Sequence, residues 1–322
     1  MEKINLLEEC KNAKSIVIAG HVRPDGDCVG SCMAMYLYLK KALAGTKITI
    51  CLEEPAEIFN CIKDFDEIDS RFCAEAPDVF IALDCEKSRL GEAEPLFENA
   101  KKRINIDHHV SNECGCGDVN YVVPGISSTA ELVYDLIDKS YMDEELAKAI
   151  YIGIIHDTGI FKYSNTSPKT MRIAADLLEY GFDFPTIIDK TFYEKTYVQN
   201  QLLGRALLES IMFMDGKCIV SAINQKILSF YDAKPKDLDG IVNQLRIIKG
   251  VECAIFMYET GNQEYKVSLR SCQYIDVSKV AAYFGGGGHV RAAGCNMTGN
   301  FYDVVNNISK QIERQMKELG KA

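Results

Sequence analysis

The stretch GHVRPDGDCVGS, Gly20 to Ser31, follows one apolar run, SIVIA, and leads into another, CMAMYLYL. Within seven residues it places one histidine and two aspartates: His21, Asp25 and Asp27. Pro-Asp-Gly is a common turn sequence, so Asp25 by itself reads as a turn residue closing a strand. The same three side chains also read as half of a metal site. The rest of the chain has to supply the other half, from groups that leave a sheet at the same edge.

Four short apolar runs in the first half read as strands: 15–20 (SIVIAG), 47–52 (KITICL), 78–84 (DVFIALD) and 102–107 (KRINID). Unbroken apolar character over so few residues marks strands of a buried parallel sheet. Helical segments lie between or after them, at about 28–43, 128–140, 143–156 and 168–180. This alternation predicts an α/β domain with a doubly wound, mainly parallel sheet. Around 184–210 the pattern turns helical with mixed polarity and reads as a connector. From about 211 a smaller α+β set begins, with strands at 218–223, 251–260 and 264–271 and helices at 236–248, 276–283 and 302–318. GNQ between the last two strands is a hairpin signal. The expected organisation is a domain over 1–185, a helical connector over 186–210 and a second domain over 211–322. Two domains are also what 322 residues predict.

Hydrophobic residues make up 47% and charged residues 25%, ordinary for a globular protein. No apolar run reaches the ~18 residues of a membrane span. The N-terminal stretch lacks the layout of a signal peptide, so a cytoplasmic protein is expected, with no membrane partner. The thirteen cysteines are odd in number and sit mostly inside apolar runs, as at Cys32, Cys51, Cys218 and Cys253. They read as reduced, buried small hydrophobes. Cys114 and Cys116 have no second pair at zinc spacing. A net charge of −10 argues against a long nucleic acid as partner and leaves room for a short nucleotide held at a local positive site.

The five histidines, His21, His108, His109, His156 and His289, all lie beside aspartate or glycine clusters at the ends of apolar runs. The first strand ends at His21, the third at Asp84, and the fourth at Asp107, His108 and His109. A helix ends near His156 and Asp157. In an open α/β sheet, ligands bind outside the carboxyl ends of the strands, and neighbouring strands lie about 4.8 Å apart. Each residue alone has an ordinary explanation, as a turn, a strand end or a cap. Together, four aspartates and two histidines at matching positions point to cations, because buried carboxylates this close repel unless neutralised.

These residues carry a resemblance. GHVRPDGDCVGS, the strand-end Asp84, NIDHH and GIIHDTG, in this order, resemble the DHH phosphoesterase superfamily. SLRS (268–271) and DVSKVAAYFGGGGHVRAAG (276–294) resemble the DHHA1 domain. The nearest group is the bacterial bifunctional oligoribonucleases and pAp phosphatases, the nanoRNases. The resemblance implies two Mn²⁺ ions, with Mg²⁺ or Co²⁺ as alternatives, and an active site in the cleft between the domains. His21, Asp25 and Asp84 would hold one ion. Asp27, Asp84, His108 and Asp157 would hold the other, with Asp84 bridging and Asp107 orienting the histidines. Two cations about 3.5–4 Å apart bind a water and lower its pKa, and the hydroxide attacks phosphorus in line. His109 is the general acid or phosphate donor, so the implied catalytic set is His109, Asp84 and Asp107.

In the second domain, Arg270, Gly286, Gly287, Gly288 and His289 are the expected substrate-binding residues. A side-chain-free GGGG loop exposes backbone N–H groups to a phosphate, and HVRAAG after it is expected to open a helix. Arg291 is assigned no role. Tyr163, Asn165 and Thr166 fit a structural loop or a substrate contact equally. Arg23 fits a phosphate contact or a solvated loop. His156 stands where family members often carry glycine or serine and reads as an extra group behind the ligands or one that alters metal preference. The implied activity is hydrolysis of short RNAs, two to five nucleotides long, to mononucleotides and removal of the 3′-phosphate of pAp. The runner-up is a phosphodiesterase for cyclic di-AMP or pApA, and a sensor that has lost catalysis comes third. Pyrophosphatases share the DHH half but lack this GGGGH-containing second domain, RecJ-type nucleases for long single-stranded DNA are longer, and relatives suggest a homodimer.

Overall fold

The computed structural model describes residues 3–321. The chain divides into two compact units, Met1–Glu194 and Lys195–Ala322. The first runs α1 (Leu6–Cys10), β1 (Ser15–Ala19), α2 (Gly26–Ala42), β2 (Lys47–Cys51), β3 (Val79–Leu83), α3 (Glu94–Glu98), β4 (Lys102–Asp107), β5 (Val119–Val122), α4 (Thr129–Leu136), α5 (Glu144–Asp157), α6 (Pro168–Leu178) and α7 (Phe184–Ile188). Its five strands are parallel, in the order β2-β1-β3-β4-β5. The chain leaves β1 toward β2 and returns on the other side at β3. The β1/β3 gap is therefore a switch point, where the loops at the strand ends part to leave a crevice.

Every residue of β3, VFIAL, is buried, as is all of β1 except Ser15, so these strands face apolar side chains on both sides. Ile16, Ile18, Ile81, Leu83, Ile104 and Ile106 pack with α2, α4, α5 and α6. Val17, Ala19, Phe80 and Ala82 join a smaller cluster with Phe97 of α3. Fourteen of the 17 residues of α2 are buried, which explains why its sequence lacks a polar stripe. It crosses α5 at glycines. A Cβ on Gly30 would lie 2.6 Å from the Gly153 backbone nitrogen, so only glycine permits this approach.

The second unit contains α8 (Tyr197–Leu208), β6 (Ile211–Phe213), β7 (Cys218–Ile223), α9 (Gln225–Phe230), α10 (Ile241–Arg246), β8 (Cys253–Gly261), β9 (Glu264–Ser271), α11 (Val277–Tyr283), β10 (Gly287–His289), β11 (Ala292–Thr298) and α12 (Phe301–Glu318). Its sheet runs β10-β11-β9-β8-β7-β6, antiparallel except for the β7/β8 pair. One face packs on α11 and on the apolar stripe Val304, Ile308, Ile312 and Met316 of α12. The other packs on α8, α9 and α10.

Three expectations need correction. HVRAAG opens no helix: His289 ends β10, Ala292 starts β11, and the two pair as a tight hairpin. Helix 236–248 is broken, because Gly240 takes a left-handed φ of 86° between a 3₁₀ turn and α10. Helix 128–140 stops at Leu136 as an α-helix. All thirteen cysteines are unpaired, and eight are buried, in line with the small-hydrophobe reading. Among the described residues, no helix is long and apolar enough to cross a membrane.

Candidate metal centre

The C-terminal ends of β1, β3 and β4, the start of α2 and the end of α5 bring His21, Asp25, Asp27, Asp84, His108 and Asp157 together. The PDGD turn ends in a helix cap: Asp25 Oδ1 accepts from the N–H groups of Asp27 and Cys28, which starts α2 and fixes the turn. His21 is buried, and its Nδ1 lies 2.9 Å from the Val22 carbonyl, so that nitrogen is the donor. Its Nε2 stands 3.6 Å from Asp25 Oδ1 and 3.5 Å from Asp84 Oδ2.

The second half repeats the arrangement. His108 Nδ1 meets the Ile126 carbonyl at 3.2 Å. Its Nε2 lies 3.5 Å from Asp84 Oδ1, 3.5 Å from Asp157 Oδ2 and 3.9 Å from Asp27 Oδ2. Asp84 thus offers one oxygen to each imidazole set. It can do so because it leaves β3 with a left-handed φ of 61°, which turns its carboxylate across the switch point. Separations of 3.5–3.9 Å are too long for hydrogen bonds. They approach the roughly 3.0–3.5 Å between neighbouring ligand atoms around one ion with bonds of about 2.1 Å.

The remaining carboxylate atoms are held by the protein. Asp27 Oδ2 and Oδ1 accept the N–H groups of Thr129 and Ala130 at 2.7 and 2.9 Å, at the start of α4. The Thr129 hydroxyl donates to Asp84 Oδ1 at 2.9 Å. Asn165 Nδ2 donates to the Asp157 carbonyl and, at 3.4 Å, to its carboxylate, so Asn165 holds both the loop and the side chain. Fully buried Asp107 accepts from both histidine N–H groups through Oδ1 and from Asn112 through Oδ2. Its Oδ1 also takes His109 Nδ1 at 2.8 Å.

Burial penalises charge throughout this cluster, and the cluster answers by sharing protons. Burial opposes the charge on His21, but Asp25 and Asp84 outweigh it and lift the pKa to about 11. His108 follows, with Asp84 and Asp27 overcoming burial to give about 10. Burial, then Asp84, drives Asp27 well above the carboxylate range. Burial lifts Asp157 to about 6 against the pull of His108. Four carboxylates facing two imidazoles carry a charge that two divalent cations would balance, and both Nε2 atoms are free to ligate once neutral.

Other expected residues make different contacts. His156 packs between Phe192, with ring centroids 4.2 Å apart, and Phe59 at 5.0 Å, and burial lowers its pKa to about 4. Arg23 has a left-handed backbone whose N–H donates to Glu53. Tyr163 is exposed, and Thr166 keeps a buried hydroxyl without a partner. In the second unit, Arg270 and His289 both register opposite Ala292, on either side of β11, and so share one face of the sheet. Arg270 also lines a cavity of about 420 Å³ with Asn243, Tyr258, Lys266 and Ser268. Gly286 and Gly288 are required by packing: a Cβ on them would lie 2.2 Å from the Gly294 carbonyl and 2.5 Å from that of Ala292. Gly287 faces open space. Arg291 donates to the backbone carbonyls of Ile275 and Gln273.

Comparison with known proteins agrees with this architecture. Residues 15–154 match the DHH family N-terminal domain, and residues 215–318 match the DHHA1 domain. A bifunctional oligoribonuclease and PAP phosphatase NrnA of Thermus thermophilus is 31% identical over 100% of this chain and 96% of its own. The chain belongs to the DHH family. The protein of the same name from Bacillus subtilis is 25% identical to this DHH protein over 98% of the chain and 99% of its own. The crystal structure of an exopolyphosphatase-related protein from Bacteroides fragilis superposes with a TM-score of 0.86 at 27% identity, covering 98% of this chain and 96% of that one. DHH phosphoesterases use divalent metals, and the groups described above are suited to holding them.

Sequence reasoning missed several members of this DHH centre. Thr129, Asn105 and Asn112 are uncharged and lie on other segments, so no local pattern marks them. Buried Asn105 accepts from Asn112, which in turn donates to Asp107. Cys28 was read as a small hydrophobe, yet its sulfur belongs to a group with His21 and Asp84 whose ligand atoms all lie within 4.8 Å of one another.

Proposed function

We propose that this DHH phosphoesterase hydrolyses short oligoribonucleotides to mononucleotides and removes the 3′-phosphate of pAp, using two Mn²⁺ ions. His21, Asp25 and Asp84 would hold one ion and Asp27, Asp84, His108 and Asp157 the other. The observation that carries this reading is Asp84, whose two oxygens face two separate imidazole sets. When bound, the two cations supply an activated water and offset charge on the phosphate oxygens.

The chain's own groups account for the remaining chemistry. Asp107 holds His109 through Nδ1 and raises its pKa, chiefly by that hydrogen bond, which keeps a proton available for the leaving oxygen. Arg270 and His289, sharing one sheet face, are suited to gripping a phosphate, and the cavity beside Arg270 has room for a nucleoside. The acidic balance of the chain fits short substrates better than long ones. Thirteen unpaired cysteines fit a reducing cytoplasm.

The test incubates purified protein and Mn²⁺ with 5′-labelled RNAs of about two to five nucleotides, pAp, pApA and cyclic di-AMP. Release of mononucleotides and of phosphate from pAp is expected. A strong preference for cyclic di-AMP over linear dinucleotides sinks the proposal. Tight binding of all four without turnover points to a sensor.

A further inference from the structure

Cys28 sits in the first turn of α2, directly beyond the PDGD turn. Its sulfur fills space left free by a glycine: a Cβ on Gly20 would lie 2.2 Å from Cys28 Sγ and 3.2 Å from the Leu83 carbonyl. The thiol is therefore wedged at the ends of β1 and β3, beside the two residues that follow those strands. Its sulfur, a ring nitrogen of His21 and a carboxylate oxygen of Asp84 lie within 4.8 Å of one another. All three residues are nine-tenths buried or more: Cys28 is 0% exposed, His21 4% and Asp84 2%.

We propose that Cys28 is a further ligand at the position of His21 and Asp84, and that this position binds a thiophilic divalent cation, Co²⁺, Zn²⁺ or Cd²⁺, more tightly than the Mn²⁺ assigned to it above, through a sulfur, nitrogen and oxygen set. The proposal rests on the metal-centre reading above. Burial, and after it the hydrogen bond with the Cys32 thiol, keep the Cys28 thiol protonated, whereas the start of a long helix favours thiolate. An ion beside it decides the balance: the S–H bond breaks, a sulfur–metal bond forms and one proton passes to solvent. A mixed set of this kind ranks metals differently from the all-imidazole-and-carboxylate set on His108. The two positions of one centre therefore prefer different ions.

The test uses the full chain loaded with Co²⁺. Visible absorption reports cobalt at any nitrogen and oxygen site, and a near-ultraviolet charge-transfer band reports a sulfur ligand. The wild-type protein is expected to show both. Cys28→Ala and the volume-matched Cys28→Ser should keep the visible absorption and lose the charge-transfer band. In Cys28→Ala, Cd²⁺ affinity should fall about tenfold while Mn²⁺ affinity stays within about twofold. Cobalt bound to wild type without the charge-transfer band overturns the role of Cys28 and leaves the metal centre standing. A band that survives in both variants assigns it to another thiol and equally overturns the proposal. Failure of wild type to bind cobalt removes the metal centre and the proposal with it. Should either variant unfold, the wild-type spectrum and the other variant still decide the case.

Discussion

Asp107 takes three donors on one oxygen: the N–H groups of His108 and His109 at 2.7 and 3.1 Å and His109 Nδ1 at 2.8 Å. One buried carboxylate thus fixes the backbone that aims His108 inward and the ring of His109 beside it. It also sets the charge on that ring, because the hydrogen bond to Asp107 is the largest contribution raising the His109 pKa.

Asp107→Asn should therefore lower the His109 pKa. A general acid works while protonated, so activity falls as pH rises through its pKa. The alkaline limb of the kcat profile should move to lower pH. Asn112 keeps Asn105 Oδ1 as an acceptor but meets an amide N–H₂ in place of Asp107 Oδ2, which should cost about 1–3 kcal/mol of stability. Thermal unfolding reads that cost separately. An unmoved limb removes His109 as the acid.

Metal binding should release protons. In the metal-free protein His21 and His108 have pKa values of about 11 and 10, above the ordinary value of about 6.5. Raised pKa values stabilise the fold fully below about 6.5, and that contribution is lost as pH climbs through 10 to 11. Mn²⁺ needs both rings neutral, so its affinity should rise with pH across the same window. Titration calorimetry in buffers of different ionisation enthalpy counts the protons, and zero release contradicts the ligand assignment. Saturating Mn²⁺, at about a hundred times its Kd, should raise Tm by about 5–10 °C.

Thr129→Val removes the hydroxyl that donates to Asp84 Oδ1 and keeps the backbone N–H that holds Asp27. Metal affinity should fall about 10- to 100-fold, the usual effect of losing a partner behind a ligand. Fluorescence-monitored Mn²⁺ titration checks this. Unchanged affinity means the hydroxyl only fills space.

Gly153→Ala places a methyl group 2.4 Å from Ala130 Cβ and 3.0 Å from Asp27 Oδ1. The crowding separates α4 from α5 and pushes a ligand aside. A stability loss of about 1–3 kcal/mol is expected, together with weakened metal binding. Denaturant unfolding measures the first effect and metal titration the second. A neutral outcome in both shows that α4 can move away freely.

The clustering of the carboxylates and imidazoles was legible because such groups at the ends of buried strands have few other reasons to gather. The parallel sheet was legible for a related reason: β1 and β3 are apolar along nearly their whole length. Other parts were hidden. β5 is short, with two partly exposed residues, and follows a cysteine and glycine run, so no apolar stretch announces it. The AA pair in HVRAAG favours helix locally, but Gly286 and Gly288 pack against the β11 backbone and commit the segment to a hairpin. The break at Gly240 was overlooked because the apolar spacing on either side continues in phase. Thr129 and Cys28 gain their roles only through neighbours distant in sequence.

The left-handed backbone of Asp84, φ 61°, sets fitness for chemistry against ease of folding. Glycine adopts this conformation freely, whereas a residue with a Cβ does so at a cost on the order of 1 kcal/mol. Burial opposes its charge, but the His108 and His21 rings offset that burial and hold the Asp84 carboxyl below the usual carboxylate range. Asp84→Gly should therefore abolish hydrolysis and yet unfold at a higher temperature than Asp84→Ala. Backbone strain alone would steer this position away from the aspartate that the two imidazoles and the proposed chemistry call for.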